Sequence, residues 1–364
     1  MKIVIISNND WDGLWYQRQQ FASMYASMGH EVLFINKTLQ RFPRFKDFKD
    51  RFTNRDKNSN IKRNPVPANV LIKTIYVLPP LKCLRFVNKL ILKLVLPSLF
   101  KKCDLLLTYV PTFTALDIIK ILSPKKTAYI NVHNYDADQV VADLLKSEKI
   151  LSKSVDFLFA DSKFNIDRMV RVSGGRKVYD SEPGVDSKKF LDAYRGDESE
   201  VKNVIGYFGG IGEHMDIDFY NKLATKFKVV FIGSLNNESV REKISNEIII
   251  RPPVTNNELP NALKEIDILA ILYHRTDYVS GVIPAKTFEC LATLKPVVVS
   301  GLGNVDLLKN VLYTCDGTYR SFLDIINNKL VDHHSRIDES RDIAKKSDWS
   351  YRFKLLNNRL GINV

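Results

Sequence analysis

Val204-Ile205-Gly206-Tyr207-Phe208-Gly209-Gly210-Ile211-Gly212 is the stretch on which the reading of the chain turns. An apolar run suited to a buried strand passes into a glycine turn. A helical pattern, Asp218 to Lys226, and a second apolar run, Val229 to Ile232, follow. Strand, glycine turn, helix and strand in succession open a parallel α/β sheet. The chain starts the same way, with an apolar run from Ile3 to Ile6, a polar loop from Ser7 to Gly13, a helical pattern ending at Gly29-His30, and a strand from Glu31 to Asn36. Leu105 to Tyr109, Thr127 to Val132 and Phe157 to Ala160 read as further strands of the first sheet. The second sheet continues through strands at Ile248 to Ile250, Ile266 to Leu272 and Pro296 to Ser300, with helices at Glu258 to Lys264 and Pro284 to Thr293. Between the two, the polar stretch Asp186 to Asn203 reads as a linker. The expected fold is therefore α/β, with two doubly wound Rossmann-like domains facing a cleft.

The 364 residues suit two domains, and 45% hydrophobic with 26% charged residues excludes wholesale disorder. Cys83, Cys103, Cys290 and Cys315 stand far apart, which argues against a disulfide framework or structural zinc and suits a reducing compartment. The apolar start is too short for a signal-peptide core, and no apolar run reaches the roughly 18 residues that span a bilayer. A cytoplasmic or peripheral protein is expected.

The net charge of +13 is concentrated: from Lys37 to Lys102 there are 17 Lys/Arg against three acids, so this segment holds the whole excess. Arg41-Phe42-Pro43-Arg44-Phe45-Lys46-Asp47-Phe48 alternates aromatic and basic residues, with Phe52 beyond it. Cys83 to Phe100 reads as an amphipathic helix in which Arg85, Lys89 and Lys93 form one stripe. Leu84, Phe86, Val87, Leu90, Ile91, Leu94 and Val95 cover most of the rest. An apolar face flanked by cations is what an anionic membrane surface selects. The alternative is an ordinary domain helix with a solvated basic stripe. No helix-turn-helix, zinc-finger or aromatic RNA-binding signature accompanies the charge, so no nucleic-acid partner is expected.

Two segments carry chemistry. In Gly209-Gly210-Ile211-Gly212 the glycines let backbone N–H groups approach a phosphate. The dinucleotide fingerprint fails because position 215 is Met215, and there is no GxxxxGK[ST]. In Ser280-Gly281-Val282-Ile283-Pro284-Ala285-Lys286-Thr287-Phe288-Glu289, Pro284 suits a first helical turn and Ser280 or Gly281 a cap. Free amides of that turn, with Ile283 and Pro284 leading into it, are placed to bind a diphosphate, and Lys286 adds a full charge. Glu289, three residues on, suits two ribose hydroxyls. The alternative is an i,i+3 salt bridge on a solvated helix.

Tyr207-Phe208-Gly209-Gly210-Ile211, Leu259-Pro260, Asp267-Ile268-Leu269 and Pro284-Ala285-Lys286-Thr287-Phe288-Glu289-Cys290-Leu291-Ala292 with Lys295-Pro296-Val297-Val298 resemble GT-B glycosyltransferases, in particular those assembling bacterial teichuronic acids, capsules and O-antigens. The likeness covers the C-terminal half well, and extends loosely to Trp11, Arg18, Gly29 and Trp349. It implies transfer of a sugar from a nucleotide donor, usually UDP-linked, to a membrane-anchored acceptor, with Lys286 on the diphosphate and Glu289 on the ribose. The domains expected are 1–188, an acceptor-binding domain carrying the basic membrane-facing segment 37–102; 189–345, which binds the nucleotide sugar; and 346–364, a helix crossing back to the first. The chain departs from many relatives at Gly281, where they carry a second Glu, and at Glu213 and His214, near where they carry Arg and Lys.

No cofactor is expected, the nucleotide sugar being substrate. Asp216-Ile217-Asp218 and Asp136-Ala137-Asp138 match the acidic motif of metal-dependent transferases, but Asp216 suits a helix cap and no catalytic metal is expected. For an inverting reaction the base should come from Asn131-Val132-His133-Asn134-Tyr135-Asp136, after a buried strand. His133 resembles a histidine that relatives place beside the donor sugar, and Asp136 and Asp138 are alternatives. Asp10 and Asp12 are candidates for acceptor contact, and Trp11 either stacks on a sugar or packs. A nucleotide-sugar epimerase of the same shape and a non-catalytic membrane scaffold for other transferases are the competing functions.

Overall fold

The computed structural model describes residues 1–7, 9–12, 15–40, 65–78, 84–136, 142–194, 204–276, 279, 283–303, 305 and 308–363. Phe42, Phe45, Phe48, Phe52, Asp138, Ser280 and Gly281 lie outside them. The chain forms two compact units, one of Met1–Asp161, Asn165–Ser181 and Leu356–Val364, and a second of Ser162–Phe164 and Glu182–Leu355. The last helix, Trp349–Leu360, starts in the second unit and ends in the first.

In the first unit the strands are β1 Lys2–Ile6, β2 Glu31–Gln40, β3 Val70–Val77, β4 Leu105–Thr108, β5 Lys126–Asn131, β6 Phe157–Ala160 and β7 Tyr179–Asp180. Among the described residues they form one parallel sheet in the order β3-β2-β1-β4-β5-β6-β7. The central strands are buried on both faces, which explains their unbroken apolar runs. In the second unit, β8 Val204–Phe208, β9 Lys228–Ile232, β10 Ile249–Arg251, β11 Ile268–Leu272, β12 Val297–Ser300 and β13 Leu312–Thr314 run β10-β9-β8-β11-β12-β13, also parallel. Each order reverses once, between β1 and β4 and between β8 and β11. In open α/β sheets ligands bind at that reversal, outside the carboxyl ends of the strands.

Three sequence expectations change. Val70–Val77, read as part of a basic membrane-facing segment, is an edge strand paired along its length with β2. The linker read from Asp186 begins as a helix, Ser187–Leu191, capped by the Asp186 carboxylate and anchored by the buried Phe190, which stacks on Phe208. The amphipathic helix runs only over Arg85–Val95, with a single 3-10 turn at Ser98–Phe100.

That shorter helix has three faces rather than two. Asn88 and Leu92 point inward; the Asn88 amide both accepts from Leu78 N (2.8 Å) and donates to its carbonyl (3.0 Å), fixing the helix to the end of β3. Arg85 and Lys89 turn toward the buried Asp117 carboxylate, at 3.2 and 3.9 Å, so two of the three cations of the basic stripe have a partner in the domain. Phe86, Val87, Leu90 and Leu94 remain outside, with Phe86 69% and Leu94 86% exposed. No helix among the described residues is long and apolar enough to cross a membrane.

Candidate functional site

The loops at the β8/β11 reversal bring together residues far apart in sequence. Gly209, directly after β8, has φ +114°, a conformation that excludes side chains, and its N–H donates to Ile232 O at 2.9 Å. A Cβ built there would lie 2.7 Å from the Lys286 Nζ. Glycine is thus required twice, for the backbone and for the approach of the cation. The Ile211 N–H is taken up by Ser234 O (2.9 Å), while the Gly210 N–H donates to no described acceptor. Of the three glycine amides of the turn, Gly209's is therefore spent within the sheet, while those of Gly210 and Gly212 donate to no described acceptor.

Lys286 opens the helix Lys286–Ala292, and its side chain reaches back under the glycine turn. Nζ donates to the Phe208 carbonyl at 3.0 Å and to the Tyr207 hydroxyl, and lies 4.0 Å from the Tyr207 ring centroid. An ammonium has three protons, so one remains for a ligand. Among the described residues Lys286 makes no ion pair with Glu289, which removes the simple i,i+3 salt bridge. Burial pushes the Lys286 ammonium down to about 8, against the opposing influence of Cys290 and Glu289. The same burial pushes the Glu289 carboxyl up to about 7, although Lys286 and Lys189 pull it down. No described residue donates a hydrogen bond to that carboxylate.

The start of this helix differs from expectation. Pro284 stands outside it, and Ala285 takes the cap position without a side-chain hydrogen bond. The Thr287 and Phe288 amides donate to Pro284 O (2.8 Å) and Ala285 O (3.1 Å). These two first-turn amides are thus engaged by a tight turn and are not free for an anion. Ile283 is buried and belongs to the core of the unit.

Sequence reasoning missed what lies beneath Lys286. The Tyr207 hydroxyl meets Gly210 O at 2.9 Å, the Tyr273 hydroxyl at 3.2 Å and His214 Nε2 at 3.4 Å. His214 sets its ring edge-on to Tyr273, centroids 4.7 Å apart. Burial, with Lys286 adding, holds the His214 imidazole below its ordinary value. The Tyr207 and Tyr273 hydroxyls meet only because the sheet order sets β8 beside β11 at the reversal.

In the first unit Trp11 is 1% exposed and packs edge-on against Trp15 and Phe34. An indole with no open face cannot stack on a sugar, so the packing alternative holds. Asp10 and Asp12 flank it at the surface. The loop after β5 exposes His133, whose ring pairs with Tyr135. Asp136 gives one carboxylate oxygen to the buried Arg168 at 2.9 Å. Arg168 is also held by Glu148 in a two-pronged pair (2.6 and 2.9 Å), and Glu148 accepts from Tyr129 and Asn131 at the end of β5. Of the two acidic motifs, Asp216 caps the helix Ile217–Ala224 by accepting from Phe219 N at 3.0 Å. No cluster of three metal-ligating side chains occurs among the described residues.

No protein-family model matches the chain. Of curated proteins, TuaH of Bacillus subtilis (strain 168), assigned to teichuronic acid biosynthesis as a glycosyltransferase, is 24% identical over 209 residues. The match covers 52% of each protein, so the chain spans about half the length of the curated relative it matches. Solved structures align over nearly the whole chain. Sucrose-phosphate synthase from Thermosynechococcus elongatus superposes with a TM-score of 0.70 at 12% identity, covering 99% of this chain and 98% of that one. HepE from Anabaena, in complex with UDP, gives 0.67 at 13%, covering 99% and 100%. A glycosyltransferase from Rickettsia africae gives 0.66 at 12%, covering 98% and 97%. The fold is that of the GT-B glycosyltransferases. In this chain the second reversal, between β8 and β11, lies beside the Gly209 turn against which the Lys286 side chain is held.

Proposed function

We propose that the protein is a glycosyltransferase that moves a sugar from a nucleoside-diphosphate donor, UDP-linked, to a lipid-linked or membrane-proximal glycan in bacterial surface polysaccharide assembly. The observation that carries this reading is the placement of the Lys286 ammonium beneath the Gly209 turn, with the carboxylate of Glu289 one helical turn on, at a strand-order reversal. The HepE structures with UDP and UDP-glucose and the likeness to TuaH support a UDP-sugar and a polysaccharide acceptor.

In this reading Lys286 and the Gly210 N–H neutralise the charge that builds on the leaving diphosphate, and Glu289 orients the nucleotide through the ribose. His133 is assigned as the base for the acceptor hydroxyl in an inverting reaction, while Asp136 pairs with Arg168. Asp10 and Asp12 remain assigned to acceptor contact. Purified protein given a panel of nucleotide sugars and lipid-linked acceptors tests the function. Transfer that needs both donor and acceptor supports it. A rearranged sugar nucleotide formed without acceptor would mean an epimerase, and absence of any nucleotide binding would mean a scaffold.

The helix Arg85–Val95 is assigned to the cytoplasmic face of an anionic inner membrane. Its outward Phe86, Leu90 and Leu94 sit beside Arg85, Lys89 and Lys93, an arrangement of apolar and cationic strips that matches a headgroup boundary. Arg85 and Lys89 also hold Asp117, so the apolar strip is the cleaner place to intervene. Changing Leu90→Glu and Leu94→Glu together is expected to weaken binding to phosphatidylglycerol-containing vesicles by tenfold or more, since each buried Leu contributes roughly 1.5–3 kcal/mol. Unchanged co-sedimentation at moderate salt would show that the strip does not meet lipid.

A further inference from the structure

We propose that Tyr207 is a positioning residue for the donor site: its buried hydroxyl holds the Lys286 ammonium against the glycine turn and ties that cation to the Gly210 carbonyl. The inference rests on the nucleotide-diphosphate reading of the site and assigns a role within it to a side chain that touches neither phosphate nor sugar.

The argument is one of proton counting. A phenol has one proton to give and lone pairs to accept. Its shortest donation is to Gly210 O at 2.9 Å, and Lys286 Nζ donates into its oxygen. Tyr207 is 2% exposed, and burial, reinforced by Tyr273, pushes its phenol far above the ordinary range, so it serves Lys286 as a neutral dipole and never as a counter-ion. A neutral acceptor has a specific merit here. A carboxylate in its place would pair with the ammonium and compete with the incoming diphosphate; a hydroxyl fixes the ammonium and leaves its charge available. With Phe208 O as second acceptor at 3.0 Å, two of the three ammonium protons are fixed by the protein and the third is free for a ligand oxygen. The bond to Gly210 O also anchors the residue whose N–H is left without a described acceptor, so one hydroxyl sets the cation and the turn together.

The other ionisable groups described around Lys286 are His214 on the turn, Tyr273 after β11, and Glu289 and Cys290 on its own helix, with Lys189 acting on Glu289 from the helix Ser187–Leu191. Among the described residues none of these accepts a hydrogen bond from Nζ; the Tyr207 hydroxyl and the Phe208 carbonyl do. Removing the hydroxyl therefore disfavours the charged form of Lys286.

The test is the titration of Lys286 in nucleotide-free protein, followed through its side-chain resonances by NMR and assigned with Lys286→Arg. Tyr207→Phe should move the midpoint down by about one pH unit, the size of one charge-assisted hydrogen bond partly replaced by solvent. UDP binding by calorimetry at neutral pH should weaken several-fold, with its alkaline limb moved down equally. Incorporation of 3-fluorotyrosine, which keeps the hydroxyl and its fit but makes it a weaker acceptor, should shift the midpoint in the same direction by less, and covers the case of a Phe variant that does not fold. A midpoint unchanged in either protein overturns the inference. Failure of the site reading has a separate signature, since wild-type protein would then not bind UDP at any pH.

Discussion

Glu289→Gln and Lys286→Met are each expected to weaken UDP binding by roughly 10–100-fold, which is the span of one or two hydrogen bonds to a charged group. They should act on opposite sides of the pH profile. Lys286 has its proton affinity depressed to about 8, and a diphosphate binds its ammonium form, so affinity stays level below that pH and falls as pH rises through it. Glu289 is raised to about 7, and ribose hydroxyls donate to its ionised form, so affinity falls as pH drops below that value. The wild-type profile is therefore bell-shaped with its maximum between about 7 and about 8. Lys286→Met should remove the alkaline limb and Glu289→Gln the acid limb. Calorimetry of UDP binding across pH 6 to 9 (a range of roughly three units centred on these values) checks both. A flat wild-type profile would exclude Lys286 and Glu289 as the groups that titrate with nucleotide.

The second large effect is on stability. Arg168→Met should cost about 3–5 kcal/mol, because it leaves the Glu148 carboxylate buried with no cation. Glu148 and Arg168 side chains are each 1% exposed, whereas Asp136 is 55% exposed and has water as an alternative partner. Asp136→Asn should accordingly cost under about 1 kcal/mol. The paired change Arg168→Met with Glu148→Gln should recover much of the loss, as it removes both charges together. Urea unfolding of the four proteins decides the matter; equal costs for Arg168→Met and Asp136→Asn would mean that the pair does not stabilise the loop after β5.

Much of the architecture was open to reading because the central strands are buried on both faces and so write themselves as apolar runs. Val204–Phe208 and Phe157–Ala160 match the expected strands residue for residue. Val70–Val77 escaped notice because an edge strand is half exposed, with Lys73 and Thr74 breaking its apolar run. That Lys286 and Glu289 share one helix was legible from their spacing. Tyr207 was not, because its contact with Lys286 spans 79 residues and depends on the strand order. For Trp11 the sequence left stacking on a sugar and packing both open; the structure ties its N–H to the Asn36 side chain (2.8 Å) and sets the indole edge-on against Phe34. The basic helix was half legible, since its cations were visible but not the buried Asp117 that holds two of them.

A crystal structure with UDP bound tests the central claim most directly. The account predicts diphosphate oxygens at hydrogen-bonding distance, about 2.7–3.2 Å, from Lys286 Nζ and the Gly210 N–H, with the ribose hydroxyls on Glu289. Nucleotide density away from these three groups would contradict it.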